Sequence, residues 1–334
     1  MSMLDRIQRG PTEEPARLLI YGTEKIGKTT ILASIPACIT ITAEDGGGDL
    51  NYERVVVQDW IEVRRTVGDL IDAPHPYRTL GLDSLSALEG MLTTWICDQA
   101  DVDSIEKVGG GFGKGYTAMV EEWRSFLRDL DCLRDRRRMA VVAVAHSHIR
   151  QATDPGADAS YDRYEVRLDK RAAALWTSWV DGLLFACIDA VVITPTLRKK
   201  GKEVQDPNAK GRVKGDGKRV ICTVKSAAYD AGIRFSGVPE ELPMSWKELA
   251  LALRWEAREK AWRPDIALEP VRAAASAAKA RGVPGSAIVE TARQHGATVG
   301  RTGIEVCPPG QAEALIAALA KLPAAERSEG GGSK

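Results

Sequence analysis

From Arg17 to about residue 180, short apolar runs alternate with segments in which apolar residues return every three or four positions. The runs predict strands at Leu18–Tyr21, Ile39–Ala43, Arg54–Val57, Thr79–Leu82 and Met139–Ala145. The periodic segments predict helices at Lys28–Ile35, Trp60–Ile71, Leu85–Gln99, Tyr116–Arg136 and Arg171–Trp179. This βαβα rhythm predicts an α/β fold with a mainly parallel sheet. Met139–Ala145 is almost wholly apolar, as a strand covered on both faces must be.

The rhythm then changes. Gly182–Cys187, Ala190–Thr196 and Arg219–Val224 are β-rich and separated by turn-like or polar sequence, which predicts antiparallel strands at one end of the sheet. Trp246–Arg254 reads as a helix. The expected organisation is an N-terminal arm (1–16), a core (17–254), a charged linker with two prolines (255–270), a small helical C-terminal module (271–323) and a glycine-rich flexible tail (324–334). In the module, Val271–Arg281, Ser286–His295 and Pro309–Leu322 read as helices.

Composition narrows the picture only a little. The 334 residues are 44% hydrophobic, enough for a large core and more than one domain. Lys+Arg and Asp+Glu both number 46, so any nucleic-acid surface must be a local patch. Six cysteines are scattered without zinc spacing and read as buried thiols of a reducing cytosol. No signal peptide or membrane-length apolar stretch is visible, so no membrane partner is expected.

The chemistry begins at Gly22-Thr23-Glu24-Lys25-Ile26-Gly27-Lys28-Thr29, with Thr30 following. This is the phosphate-loop pattern, set between an apolar strand and a helix as its mechanism requires. The glycines let backbone N–H groups turn toward a phosphate, and the helix N-terminus adds a positive dipole end. Lys28 would reach the β- and γ-phosphates, and Thr29 would ligate Mg²⁺. The bland alternative is a glycine turn that happens to carry Lys-Thr.

Three strand ends extend this reading. Thr79–Leu82 ends in Asp83, a carboxylate placed to hold Mg²⁺ beside Thr29; the alternative makes Asp83 a cap of the next helix. Ile39–Ala43 ends in Glu44, a candidate general base for the attacking water, with Asp45 its competitor and a solvated turn the alternative. Met139–Ala145 ends in His146-Ser147-His148, where His146 is a candidate γ-phosphate sensor, against a structural hydrogen bond or a metal ligand.

These motifs, in order and spacing, resemble the RecA-type P-loop ATPase core. More narrowly, Gly111-Phe112-Gly113-Lys114-Gly115-Tyr116, Val141 to His146 and Lys218 to Trp246 resemble phage nucleotide-binding proteins of the Sak type, relatives of single-strand annealing proteins. At the sensor position His146 departs from RecA's glutamine and agrees with the phage group. The match spans roughly residues 15–254; the C-terminal residues lie outside it, with a weak resemblance to helical tails of other phage annealing proteins. The resemblance implies an ATP- and Mg²⁺-dependent ATPase that forms rings or filaments of its own copies, binds single-stranded DNA and works in the cytoplasm, that of the bacterial host if phage-encoded. A single-strand DNA-binding protein is a further expected partner.

Single-strand binding needs cations for phosphates and flat faces for stacking. Asp101–Gly115 supplies Lys107 and Lys114; Ser147–Lys170 supplies Arg150, Arg163, Arg167 and Lys170. By resemblance these are two mobile DNA-facing loops; the alternative is plain surface. Thr196–Arg219 is a basic flap with Arg198, Lys199, Lys200 and Lys202, suited either to phosphates or to shielding a sheet edge. Lys225 and Arg234 lie where RecA-like proteins deliver cations to a neighbouring subunit. The expected function is annealing or strand pairing in phage-type recombination. Its rivals are a RecA-like helicase or loader motor, a small-molecule P-loop kinase and a nucleotide-gated binding module.

Overall fold

The computed structural model describes residues 14–44, 48–73, 75–152, 160–189, 191–193, 196–199, 202–205, 212–214, 217–262, 268–295, 297–300, 303–306 and 312–324. They fall into two compact units that divide at Trp255/Glu256. The larger contains, in order, β1 (Arg17–Gly22), α1 (Lys28–Ala33), β2 (Cys38–Thr42), β3 (Glu53–Val56), α2 (Trp60–Asp72), β4 (Thr79–Asp83), α3 (Leu85–Gln99), α4 (Lys114–Arg137), β5 (Ala140–Ala152), β6 (Tyr161–Val166), α5 (Lys170–Trp179) and β7 (Gly182–Ile188). After these come the short strands β8 (Val191–Ile193), β9 (Thr196–Lys199), β10 (Lys202–Gln205), β11 (Arg212–Lys214), β12 (Arg219–Cys222), β13 (Gly232–Ile233) and β14 (Glu241–Pro243), then α6 (Trp246–Ala252).

Ten strands form one sheet, ordered β14-β12-β7-β1-β5-β4-β2-β3, with β6 on β5 and β13 on β7. All pairings from β7 to β3 are parallel; β12, β13, β14 and β6 add antiparallel. The fold is therefore α/β with a mainly parallel sheet and antiparallel strands at one end. β1 is covered on both faces. Leu19 and Tyr21 join the core cluster built by α2 to α5, and the intervening Leu18 and Ile20 are just as fully buried. That cluster centres on Trp60, Trp123, Phe126 and Trp176, with Trp123 edge-on to Trp60 at 5.2 Å and to Trp176 at 5.3 Å. Such pairs contribute about 0.5–1.5 kcal/mol beyond the area they bury.

Four expectations change. Gly182–Cys187 belongs to β7, parallel to β1, and its unbroken apolar run is the mark of a doubly covered parallel strand. Ser147–Lys170 is no open loop: β5 runs on to Ala152 and β6 returns along it, from Ser147 opposite Val166 to Ala152 opposite Tyr161. Its charged residues hide the strand alternation because both faces are partly solvated. Asp101–Gly115 carries a 3₁₀ turn at Ile105–Gly110 that leads into α4. The region expected as a linker holds α7 (Trp255–Trp262) and the start of α8 (Leu268–Ala280). Pro270 fits in the first turn of α8, where no intrahelical donor is required.

The smaller unit packs α8, α9 (Gly285–Gln294) and α10 (Ala312–Lys321) around Val271, Ala278, Ala292, Leu315 and Leu319. It is not purely helical: β15 (Thr298–Gly300) and β16 (Gly303–Val306) pair antiparallel. Among the described residues, no helix is long and apolar enough to cross a membrane.

Candidate nucleotide site

The phosphate loop is held by backbone geometry. Gly22 lies so close to β7 that a Cβ there would meet the Ala186 carbonyl oxygen at 2.3 Å. Gly27 has φ +112°, a conformation side chains oppose, and it opens α1. Lys28, the first residue of α1, is only 6% exposed. Its Nζ donates to the carbonyls of Gly22 (3.0 Å) and Thr23 (2.7 Å), and burial lowers its pKa. One position before the loop, Tyr21 donates from its hydroxyl to Asp230 O (2.6 Å) and accepts from Asp230 N (2.9 Å). Within β6, Tyr164 N reaches Ala228 O at 2.7 Å.

The ends of β2 and β4 and the middle of β5, at His146, converge on this loop. Thr29 Oγ1 donates to Asp83 Oδ2 at 2.7 Å. Asp83 is buried, which raises its pKa; the Thr29 bond opposes that. Asp83 is not the cap of α3, since Ser84 takes that position and accepts from Ala87 N. The same Ser84 hydroxyl donates to Glu44 Oε1 at 2.5 Å. Glu44 also faces His146 Nε2, at 3.0 and 3.4 Å to its two oxygens. A carboxylate only accepts, so this nitrogen carries the proton. The His146 bond, with that from Ser84, draws Glu44 down to about 2.

The His146 backbone continues the chain of bonds. Its N–H donates to Ser86 Oγ (3.1 Å), and Ser86 Oγ donates to Arg167 O (3.0 Å). Arg167 N–H donates back to His146 O (2.8 Å), just beyond the last β5–β6 pair. The Arg167 guanidinium reaches Glu24 at 3.4 Å.

A cavity of about 620 Å³ is lined by Glu24, Lys25, Gly27, Lys28, Thr29 and Thr30 together with Glu44, Asp83, His146, Arg167 and Arg219. Gly22, Thr23 and Ile26 do not line it; the first two offer carbonyls to Lys28, and Ile26 is buried. A second cavity of about 360 Å³ shares Gly27, Thr30 and Arg219 with the first and is walled by Ile26, Met244 and Trp246. The donor set fits a magnesium nucleotide. A buried ammonium and a helix start would face the phosphates, and two adjacent oxygens, Thr29 Oγ1 and Asp83 Oδ2, suit a hard cation.

A family model described as an AAA domain matches residues 14–235. The chain belongs to the AAA domain family. Within this AAA domain, the parallel sheet and its phosphate loop make a P-loop NTPase core. Among solved structures, one titled "Crystal structure of the RadB recombinase" is similar at 15% identity and a TM-score of 0.31, over 55% of this chain and 79% of that one. No curated protein matches.

The other candidates scatter around the AAA domain. Lys107 pairs with Asp103 (2.6 Å), and Lys114 Nζ donates to Gly109 O (2.8 Å). Arg150 lies 3.8 Å from Glu165, and Lys170 is exposed at the start of α5. Arg163 is turned inward, its side chain 14% exposed and 3.2 Å from Asp230. Lys225 is 3.9 Å from Asp230; Arg234 is 3.2 Å from Asp181 and also donates to Ser178 O. Arg198, Lys199 and Lys202 stand on the β9–β10 hairpin, while Lys200 and Asp45 lie outside the described residues. Sequence reasoning missed Ser84, Ser86 and the place of Arg219 in both cavities. Ser84 carried a signal, being the polar residue directly after the end of β4; Ser86, inside α3, carried none of that kind.

Proposed function

We propose that the protein is an ATP- and Mg²⁺-dependent ATPase that binds single-stranded DNA, self-associates and promotes annealing or strand pairing, in the manner of phage recombination proteins. Lys28 and the backbone of Gly22–Thr30 bind the phosphates. Thr29 and Asp83 hold Mg²⁺, which would neutralise phosphate charge when bound. Glu44 orients and deprotonates the attacking water, and His146 holds Glu44 in place until a γ-phosphate competes for it. The second cavity takes the base or ribose.

The observation that carries this reading is the bond chain Glu44–His146–Ser86–Arg167. It joins the carboxylate beside the phosphate loop to the root of the β5–β6 hairpin. That hairpin, the glycine-rich turn before α4 and the basic β9–β10 hairpin are the proposed DNA contacts, with Lys225 or Arg234 serving a neighbouring subunit's nucleotide. The C-terminal unit is proposed to contact DNA, a single-strand DNA-binding protein or another subunit.

The test is ATP turnover by the full chain with and without single-stranded DNA. Stimulation is expected, followed by annealing of complementary strands. An unchanged rate and unchanged nucleotide affinity would remove DNA from the proposal. Turnover that needs a small-molecule acceptor would point to a kinase, and strand displacement to a helicase. Lys28→Ala is expected to lower turnover by about 10²-fold or more, the scale of losing one preorganised phosphate donor; unchanged turnover would refute the site.

A further inference from the structure

Cys187 Sγ lies 3.9 Å from Cys222 Sγ. The two belong to neighbouring antiparallel strands, β7 and β12, whose register sets Cys187 opposite Val220 and Cys222 opposite Phe185. The thiols therefore share one face of the sheet as diagonal neighbours. Cys187 is partly exposed and Cys222 is buried. The Cys187 thiol bonds to the Cys222 sulfur, which raises the pKa of Cys187 and lowers that of Cys222; Tyr229 adds a second bond that lowers Cys222 further. A sulfur stabilised in this way supplies thiolate, the form that reacts.

We propose that Cys187 and Cys222 are a redox-active dithiol that closes to an intrachain disulfide and thereby weakens nucleotide binding. The second half of this statement rests on the nucleotide site proposed above. The oxidant is a hydroperoxide. One sulfur, as thiolate, attacks the outer peroxide oxygen; the O–O bond breaks, a sulfenic acid forms, and the leaving alkoxide (hydroxide from hydrogen peroxide) takes up the proton that this thiol released. The other sulfur then attacks the first, the S–O bond breaks, and the leaving hydroxide takes up the second thiol's proton. Two electrons pass from the pair to the peroxide, which hydrogen peroxide accepts by becoming two waters.

The link to nucleotide is mechanical. Diagonal partners in an antiparallel pair have Cα atoms about 7–8 Å apart. A disulfide needs about 4.4–6.8 Å. Closing the bond therefore draws β12 toward β7. Arg219 opens the same four-residue strand, lines the nucleotide cavity, and has Nη1 3.3 Å from where a Cβ on Gly27 would sit. Displacing β12 moves that guanidinium against the phosphate loop. A bond that asks the strands to shift is also readily reduced, so the change is reversible.

The experiment treats the full chain with hydrogen peroxide and reads two things. Mass spectrometry of unreduced peptides should find the 187–222 linkage, absent from Cys187→Ser and from Cys222→Ser. A fluorescent ATP analogue should bind at least about fivefold more weakly after oxidation, the lower end of ordinary site-to-site coupling. Dithiothreitol should restore it, and Cys187→Ser, the less buried position, should bind equally well before and after peroxide. Absence of the linkage overturns the proposal. So does a linkage with unchanged affinity, or an equal loss of affinity in Cys187→Ser. If the reduced protein binds no nucleotide, the proposed function falls instead, and the linkage still decides whether the dithiol exists.

Discussion

His146 Nε2 lies 3.0 Å from Glu44 Oε1, although the two residues are 102 positions apart, Glu44 just after β2 and His146 within β5, with β4 between them. Parallel pairing brings them together: β2 and β4 finish on the edge of the sheet beside the phosphate loop, and the parallel part of β5 ends there at His146, opposite Gly22. The hydrogen bond from His146, aided by Ser84, takes Glu44 from 4.5 to about 2. Because the folded value is depressed, this contact stabilises the fold above about pH 4.5 and loses that contribution as pH falls toward 2. In His146→Ala the acid limb of turnover is expected to move up toward about pH 4.3, the ordinary glutamate value. A kcat–pH profile from about 2.5 to 8 checks it; an unmoved limb would show that His146 does not tune Glu44.

Glu44→Gln keeps the size of the side chain and removes the base. Single-turnover hydrolysis is expected to fall about 10²- to 10⁴-fold, the usual worth of a positioned base. Nucleotide affinity should change little. Retained hydrolysis would transfer the role to another group or leave a binding module without useful turnover.

Gly22→Ala should unsettle the loop at its root. The new methyl would meet the Ala186 backbone, which cannot rotate away. Forced overpacking of this kind costs about 1–3 kcal/mol. Denaturant melts should show the loss, with nucleotide binding weakened alongside. A wild-type melt would mean that β7 yields at Ala186.

The β5–β6 hairpin separates two arginines that look alike in the sequence. Arg150 is 41% exposed, whereas Arg163 is 14% exposed and faces Asp230. Arg150→Ala should weaken single-stranded DNA binding and reduce its log–log salt slope by about 0.7, one phosphate's worth. Arg163→Ala should leave the slope alone and lower the melting temperature. Reversed outcomes would mean that Arg163, the cross-strand partner of Arg150 on the same face, leaves Asp230 to meet DNA.

Glu89 on α3 is half-buried, and loss of water around its carboxyl pushes it up to about 7 from 4.5. The Asp169 N–H donates to it at 2.8 Å. Here the folded value is raised, so the native chain holds a proton that the unfolded chain releases. Stability therefore falls as pH rises from about 4.5 to 7. Glu89→Gln still accepts from Asp169 and cannot ionise. Relative to wild type it should gain on the order of 3 kcal/mol between pH 4.5 and 7. Parallel melts of the two proteins would fail to show the effect if Glu89 stayed ionised in the fold.

Much of this arrangement is readable from local sequence. Lys28 and Thr29 sit in a contiguous motif, and Glu44 and Asp83 each follow an apolar run, so their place at strand ends needs no tertiary knowledge; His146 also follows one, but its strand runs on to Ala152. What local sequence withholds is register. Nothing in Arg163 itself says that it meets Asp230 while Arg150, its cross-strand partner, stays more exposed, because Asp230 comes from a segment 67 positions further along the chain. The position of Arg219 against the phosphate loop likewise depends on an antiparallel strand joining the edge of a parallel sheet. The β5–β6 hairpin was hidden for a simpler reason: with both faces partly wet, its strands lack the apolar alternation that marks a half-buried one.

Tyr21 places a constraint on all of this. Its hydroxyl, one residue before the phosphate loop, grips both the carbonyl and the amide of Asp230, in the segment whose Ala228 anchors β6. Loop and hairpin thus share a footing, like two arms of a balance on one pivot. The phenol ties the two arms a second time, apart from the bond chain through His146 and Arg167.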